Sequence, residues 1–263
     1  MPALTTCAFG RRYLGALLLA FATLAAPRTA RAQLTVDVLE LFVAAGDADA
    51  VRTVRVRNDG AERVQAMVVQ EDWERDADGT NRFLPLGTHT RSCGEHIDVF
   101  PRAIALEPGE AATVRVAVRA GATPCWGVVF LEHRATQPNG GRQLSYTVRT
   151  GVKVYVEPTA ARRDGELEAI TVDTEADSTT RLRVQFRNTG TSQLAVRGHL
   201  EVRTADNQVV HRHELPDAPV LPAAVRRLSA PMPTLAPGRY LVLALLDFGG
   251  RELVAGQLDY EVR

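Results

Sequence analysis

Val51-Arg52-Thr53-Val54-Arg55-Val56-Arg57 alternates apolar and basic side chains. So do Thr113-Val114-Arg115-Val116-Ala117-Val118-Arg119 and Arg181-Leu182-Arg183-Val184-Gln185-Phe186-Arg187. Successive side chains of an extended chain point to opposite faces, so a period of two marks a strand with one face buried. The many β-branched residues suit that pleated, half-buried surface. Turn chemistry separates these runs: Asn58-Asp59-Gly60, Asp78-Gly79, Pro108-Gly109, Asn139-Gly140-Gly141, Asn188-Thr189-Gly190, Pro237-Gly238 and Gly249-Gly250. No amphipathic helical pattern follows Gln33. Short strands with Gly and Pro turns predict an all-β chain built as two tandem immunoglobulin-like β-sandwich domains.

The pattern repeats along the chain. Val56-Arg57-Asn58-Asp59-Gly60 is echoed by Phe186-Arg187-Asn188-Thr189-Gly190, and Leu106-Glu107-Pro108-Gly109 by Leu235-Ala236-Pro237-Gly238. The two offsets, 130 and 129 residues, nearly agree, which suggests one architecture used twice. A Pro-bearing, small and charged stretch, Pro158 to Gly165, reads as the linker. The first domain is then about 33–158 and the second about 165–263. Seven strands are expected in the second, near 167–173, 180–188, 196–204, 208–215, 225–230, 239–248 and 251–262.

The N-terminus reads as an export signal over 1–32. Arg11 and Arg12 precede the uncharged apolar run Leu14 to Ala26, and Ala30-Arg31-Ala32 places small residues where a signal peptidase cuts. That run is shorter than the ~20 apolar residues a membrane span needs. The expectation is a mature chain from Gln33, soluble in the periplasm and without membrane insertion. The whole chain balances 31 basic and 31 acidic residues. The signal takes four arginines, leaving 27 against 31. Nucleic-acid binding needs a basic excess to neutralise phosphates, so that class is set aside. Cys93 and Cys125 remain after cleavage, and an even pair in an oxidising compartment reads as one disulfide.

Residues 33–158 resemble the first domain of the PapD-like periplasmic pilus chaperones. Val68-Val69-Gln70-Glu71-Asp72-Trp73 looks like that family's Trp-bearing third strand. Val99 to Gly109 looks like its Pro-rich strand and Leu-Glu-Pro-Gly turn. Trp126 to Glu132 is similar to its sixth strand, and Gly151 to Pro158 to the strand that closes the domain. The second domain resembles the family's second domain in its immunoglobulin-like pattern. The resemblance implies a non-enzymatic chaperone that stabilises pilin-like subunits, with an outer-membrane usher as a further partner. A secreted structural or adhesive protein is the alternative reading.

The resemblance also names a site. Leu144, Tyr146 and Val148 alternate with Gln143, Ser145, Thr147 and Arg149, as a strand lent to an incomplete sandwich requires. They lie nine, seven and five residues before Lys153, the spacing of the family's donor residues from its lysine. In the family that lysine and an arginine of the first strand hold the subunit's terminal carboxylate. Lys153 is the one lysine of the chain. The partner arginine is missing: its position falls on Glu40 or Leu41, and Glu157 stands where the family has arginine before Pro158. The stretch Ala135 to Arg142 reads as a short loop.

No motif for catalysis, cofactor or metal emerges. Asp247-Phe248-Gly249 spells a kinase motif without any other kinase element and reads as the approach to a hairpin turn. His211 and His213 share a strand face without a third ligand.

Overall fold

The computed structural model describes residues 34–47, 50–175 and 179–263, with the backbone but not the side chains of 137–139. Residues 1–32, read above as an export signal, lie outside the described residues. The chain is all-β and forms two sandwiches. In the first, one sheet has the order β1-β3-β8-β6: Leu34–Val36, Val51–Asn58, Ala111–Val118 and Ile97–Phe100. The other has the order β2-β10-β9-β4-β5: Glu40–Ala44, Arg142–Glu157, Cys125–Asn139, Val64–Arg75 and Asn81–Leu84. β7 (Ala103–Leu106) also pairs with β4. In the second sandwich, β11 (Gly165–Thr174), β12 (Thr180–Asn188) and β15 (Val225–Pro231) form one sheet. β14 (Val209–Val220), β13 (Leu194–Thr204), β16 (Gly238–Asp247) and β17 (Val254–Val262) form its partner. The seven strands expected there are the seven found. Among the described residues no helix is long and apolar enough to cross a membrane.

Alternation becomes burial as the pleat dictates. Val54, Val56, Val114, Val116 and Val118 point into the first core, while Arg55, Arg57 and Arg115 face out. Leu182, Val184 and Phe186 do the same in the second. Cys93 and Cys125 are bonded, tying the segment before β6 to the start of β9. Beside it, the buried Asp72 accepts hydrogen bonds from Ser92 Oγ at 2.6 Å and His89 N at 2.8 Å.

Half of the sequence echo is structural. Asn58 and Asn188 are both fully buried at the end of equivalent strands. Asn58 Nδ2 donates to Glu62 O and Leu106 O, and its Oδ1 accepts from Gly60 N. Asn188 repeats this with Ser192 O, Val220 O and Gly190 N. Each asparagine thus satisfies backbone groups that burial would otherwise leave unpaired. The other half of the echo is corrected. Gly109 N donates to Asn58 O, and the group that donates to Asn188 O is Ala223 N. The counterpart of Pro108-Gly109 is therefore Pro222-Ala223, not Pro237-Gly238. Ala223 holds φ +63° where Gly109 holds +79°. Lacking glycine, that turn carries no sequence signal.

The sandwiches meet through the β4–β5 turn. Ala77 O accepts from Arg226 NH1 at 3.0 Å and from Arg227 N at 2.6 Å, and Arg227 pairs with Asp78 at 2.7 Å. Arg75 NH1 donates to Pro219 O at 3.2 Å. Gly79 has φ +93°, and a Cβ there would lie 2.2 Å from the Arg226 guanidinium. The positive φ favours glycine, and a side chain there would also have to displace the Arg226 guanidinium. A third apolar cluster, Trp73, Trp126, Val128, Phe130, Tyr155 and Leu221, seals the junction.

Candidate functional site

β10 is 16 residues long and its two edges differ. On one side it pairs with β9 from Arg142 to Val156. On the other, β2 joins it in parallel only from Lys153 to Glu157, with Lys153 N also donating to Leu39 O. From Arg142 to Val152 one main-chain edge has no partner strand among the described residues. Such an edge is a template for another strand.

One face of that stretch carries Leu144, Tyr146 and Val148, with Thr150 between them and Val152. Val152, Val154 and Val156 are buried in the first core. Leu144, Tyr146 and Val148 share their parity and continue the same line outward. Leu144 is 52% exposed and Tyr146 38%, while Val148 is half-buried. Val148 lies in the last row that β4 supports, opposite His133 and Ala66, and beyond it Leu144 and Tyr146 are supported by β9 alone. The segment 135–142 is not a loop, as expected from sequence, but the tip of a β-hairpin. Asn139 pairs with Arg142, and Gly140 and Gly141 take φ +54° and +82°. Two left-handed residues in succession give a turn whose twist matches the strands, so pairing persists to the tip.

The opposite parity of β10 faces the junction. Arg149 pairs with Glu71 and with Glu132 at 2.6 Å, and its Cζ lies 3.8 Å from the Phe130 ring centroid. Lys153 Nζ lies 4.6 Å from the Trp73 ring centroid and 3.9 Å from Glu40 Oε1. Burial depresses the Lys153 pKa, as does the nearby Arg75 guanidinium, while Glu40 opposes both. Tyr155 donates to Glu40 Oε1 at 3.3 Å, and burial pushes its phenol pKa up. Phe42 stacks on Tyr155 with centroids 4.8 Å apart. The floor is rigid: Trp73 Nε1 donates to Gly127 O and Trp126 Nε1 to Trp73 O.

Leu144, Tyr146, Val148 and Lys153 therefore share one strand but not one face. The first three lie toward the free edge and core side, and Lys153 lies over the aromatic floor at the junction. Glu40, one of the two positions on which the resemblance would place the arginine, is the Cα partner of Lys153. Sequence reasoning missed Arg75. Its Cζ is 5.3 Å from the Trp73 ring centroid. The signal was available, since Arg75 follows Trp73 by two on a strand and so shares its face.

Two immunoglobulin-like sandwiches joined at an aromatic, cationic floor, with a long hairpin strand left open along one edge, define a class. The fold is that of the PapD-like fimbrial chaperones. The match with TM-score 0.50 is to a chain of the CsuC–CsuE chaperone–tip adhesion subunit pre-assembly complex, from the archaic chaperone-usher Csu pili of Acinetobacter baumannii. It covers 86% of this chain and 98% of that one at 12% identity. A chaperone–tip adhesin complex of CFA/I fimbriae biogenesis matches at 12% identity over 86% and 98% of the two chains, TM-score 0.48. The class 5 fimbriae chaperone CfaA matches at 12% identity over 88% and 100%, TM-score 0.47. No protein-family model and no curated protein sequence matches this chain.

Proposed function

We propose that this protein is an exported, periplasmic chaperone that lends β10 to a pilin-like subunit lacking one strand. The observation that supports the reading is the open edge of β10 between Arg142 and Val152, carrying Leu144, Tyr146 and Val148 on the face that continues the core. An incoming strand would gain main-chain hydrogen bonds along that edge. The alternate apolar side chains would fill the groove of the incomplete subunit. Residues 33–158 would be the strand-lending domain, and 165–263 the second wall of the cleft. Lys153 would hold the subunit's terminal carboxylate, fixing the register of the added strand. CsuC is a chaperone crystallised with a tip adhesion subunit, and a surface-fibre subunit is the corresponding partner proposed here, with an outer-membrane usher as acceptor.

The test is Tyr146→Asp. A charge at that position would have to enter an apolar groove, where an unpaired carboxylate is strongly disfavoured. Tyr146 is exposed, so the variant should fold as wild type. Subunit co-purifying from periplasm should be lost. Undiminished co-purification would sink the strand-lending reading.

A further inference from the structure

We infer that two copies of this chain associate through β17, the last strand of the second sandwich, paired antiparallel about Leu258 so that their two sheets run on as one. The inference stands on the second sandwich and does not rest on the strand-lending reading.

β17 closes its sheet and pairs with β16. Its other main-chain edge has no partner strand among the described residues. β11, from the facing sheet, packs on the core face of β17 and not on that edge: a Cβ at Gly256 would meet side-chain carbons of Leu167 and Ile170 at 3.0 to 3.2 Å. An open edge is a template for another strand, and folded proteins guard theirs by short length, proline, bulges or cover. Other edges of this chain are guarded in these ways. β1, β2, β5, β6 and β7 span three to five residues. β14 carries Pro216 and Pro219 and two register shifts against β13. β11 has a register shift between Leu167 and Ala169. β15 is covered at Arg226 and Arg227 by the β4–β5 turn. β17 has none of these devices. It runs nine residues in unbroken register with β16, without proline, lysine or arginine. Val254, Leu258 and Tyr260 pack on the second core yet stay half-buried, whereas Val242, Ala244 and Leu246, one strand further in, are buried. A further strand would cover that residual apolar surface.

The strand itself names the occupant. Val254-Ala255-Gly256-Gln257-Leu258-Asp259-Tyr260-Glu261-Val262 pairs with its own reverse. About Leu258 all nine residues find partners. On the core side Val254 faces Val262, Gly256 faces Tyr260, and Leu258 faces its copy. On the outer side, which carries the strand's two acids, Ala255 faces Glu261 and Gln257 faces Asp259. Apolar meets apolar, the ring stands opposite the residue without a side chain, and no like charges are directly opposite. A slip of one residue would set the apolar face of one copy against the polar face of the other. A slip of two in one direction sets Asp259 against its copy, and in the other direction it shortens the pairing. The contact is isologous, as a two-fold axis requires. β10 lies in the other sandwich, so each copy keeps its open edge there.

The test is sedimentation velocity of the mature protein. Edge contacts bury little area, so monomer should dominate at about 1 μM and dimer at about 100 μM. Gln257 is exposed and lies outside the strand proposed for capture, so its variants should fold and capture subunit as wild type. Gln257→Glu sets a carboxylate opposite each Asp259 and should weaken the dimer by about fivefold or more. Gln257→Lys sets a cation there and should tighten it by a similar factor, a gain that shrinks in about 0.5 M salt. Opposite shifts from one position report the register, which non-specific association would not. Tyr146→Asp, on the free edge of β10, should leave the dimer unchanged. A protein that stays monomeric at about 100 μM overturns the inference. So do Gln257 variants that shift dimerisation alike or not at all, and so does a dimer lost with Tyr146→Asp, which would place the contact on β10.

Discussion

Lys153 and Glu40 face each other in the parallel pairing of β10 with β2, Nζ 3.9 Å from Oε1. The pair sits where an arginine would make the site doubly positive, so the chain carries its own carboxylate at its cationic centre. Glu40→Gln removes that competitor while keeping an acceptor for the Tyr155 hydroxyl. The pair is partly exposed, so its strength is that of a screened surface pair. Subunit capture by the glutamine variant should tighten by about two- to fivefold, as a surface pair of that strength implies. Capture that weakens would assign Glu40 to holding Lys153 in position.

Lys153 is charged in a partly dehydrated place, and this has a pH signature. Its pKa on folding falls below the usual lysine value. Below the folded pKa the cation is present in both states, and the full cost of burying it stands. Stability recovers as pH rises from the folded to the unfolded value. Lys153→Met should therefore melt at or above the wild-type temperature at pH 7, and lose that advantage at strongly alkaline pH. Capture shows the opposite dependence, because a bound carboxylate raises the lysine pKa. Wild-type affinity should be flat at neutral pH and fall as pH passes the free-state pKa of Lys153. Thermal melts and binding titrations between pH 7 and 11 check both. A methionine variant that melts well below wild type at pH 7 would make Lys153 a structural residue.

On the strand-lending proposal, β10 would serve two purposes along one face. Val154 is fully buried, whereas Val148, six residues earlier on the same parity, is half-buried in the last row that β4 reaches, level with His133 and Ala66. Val154→Ala should cost about 2 kcal/mol in denaturant unfolding, the price of a cavity in a packed core. Val148→Ala should cost less, about 1 kcal/mol or under, as for a half-buried site at the edge of the core. For capture the order should reverse. Equal stability losses would place Val148 in the core proper and shorten the lent segment.

The fold was legible because burial enforces period two. The alternation at 51–57, 113–119 and 181–187 emerged as β3, β8 and β12, and all seven strands of the second sandwich were in place. The pairing of Cys93 with Cys125 followed from compartment and parity of count, and the bond is present. The hairpin tip was misread as a loop because polar residues dominate it. Without an apolar alternation the sequence shows no strand there, and Asn139-Gly140-Gly141 signals the turn alone. The site was legible along β10, where spacing to Lys153 is local. Arg75 and Glu40 reach Lys153 through strand neighbours 78 and 113 residues away, a relation no local pattern encodes. The resemblance left Glu40 and Leu41 as alternatives, and the ion pair of Glu40 with Lys153 needed the register.

The corrected internal repeat makes a prediction at Ala223. In both sandwiches a buried asparagine carbonyl accepts from the residue at the left-handed corner of a turn, Gly109 in one and Ala223 in the other. A left-handed conformation costs an L-residue about 1–2 kcal/mol, and glycine nothing. Glycine loses more chain entropy on folding, which offsets about 0.5–1 kcal/mol of that gain. Ala223 is exposed, so removing its methyl sacrifices little packing. Ala223→Gly should then stabilise the protein by up to about 1 kcal/mol. Gly109→Ala, where no atom lies within 4 Å of the added carbon, should destabilise it by a similar amount through backbone strain alone. Denaturant unfolding of the two variants measures the same corner from both sides. A shift of the same sign in both would mean that the two turns, despite their matching hydrogen bonds, do not carry the same strain.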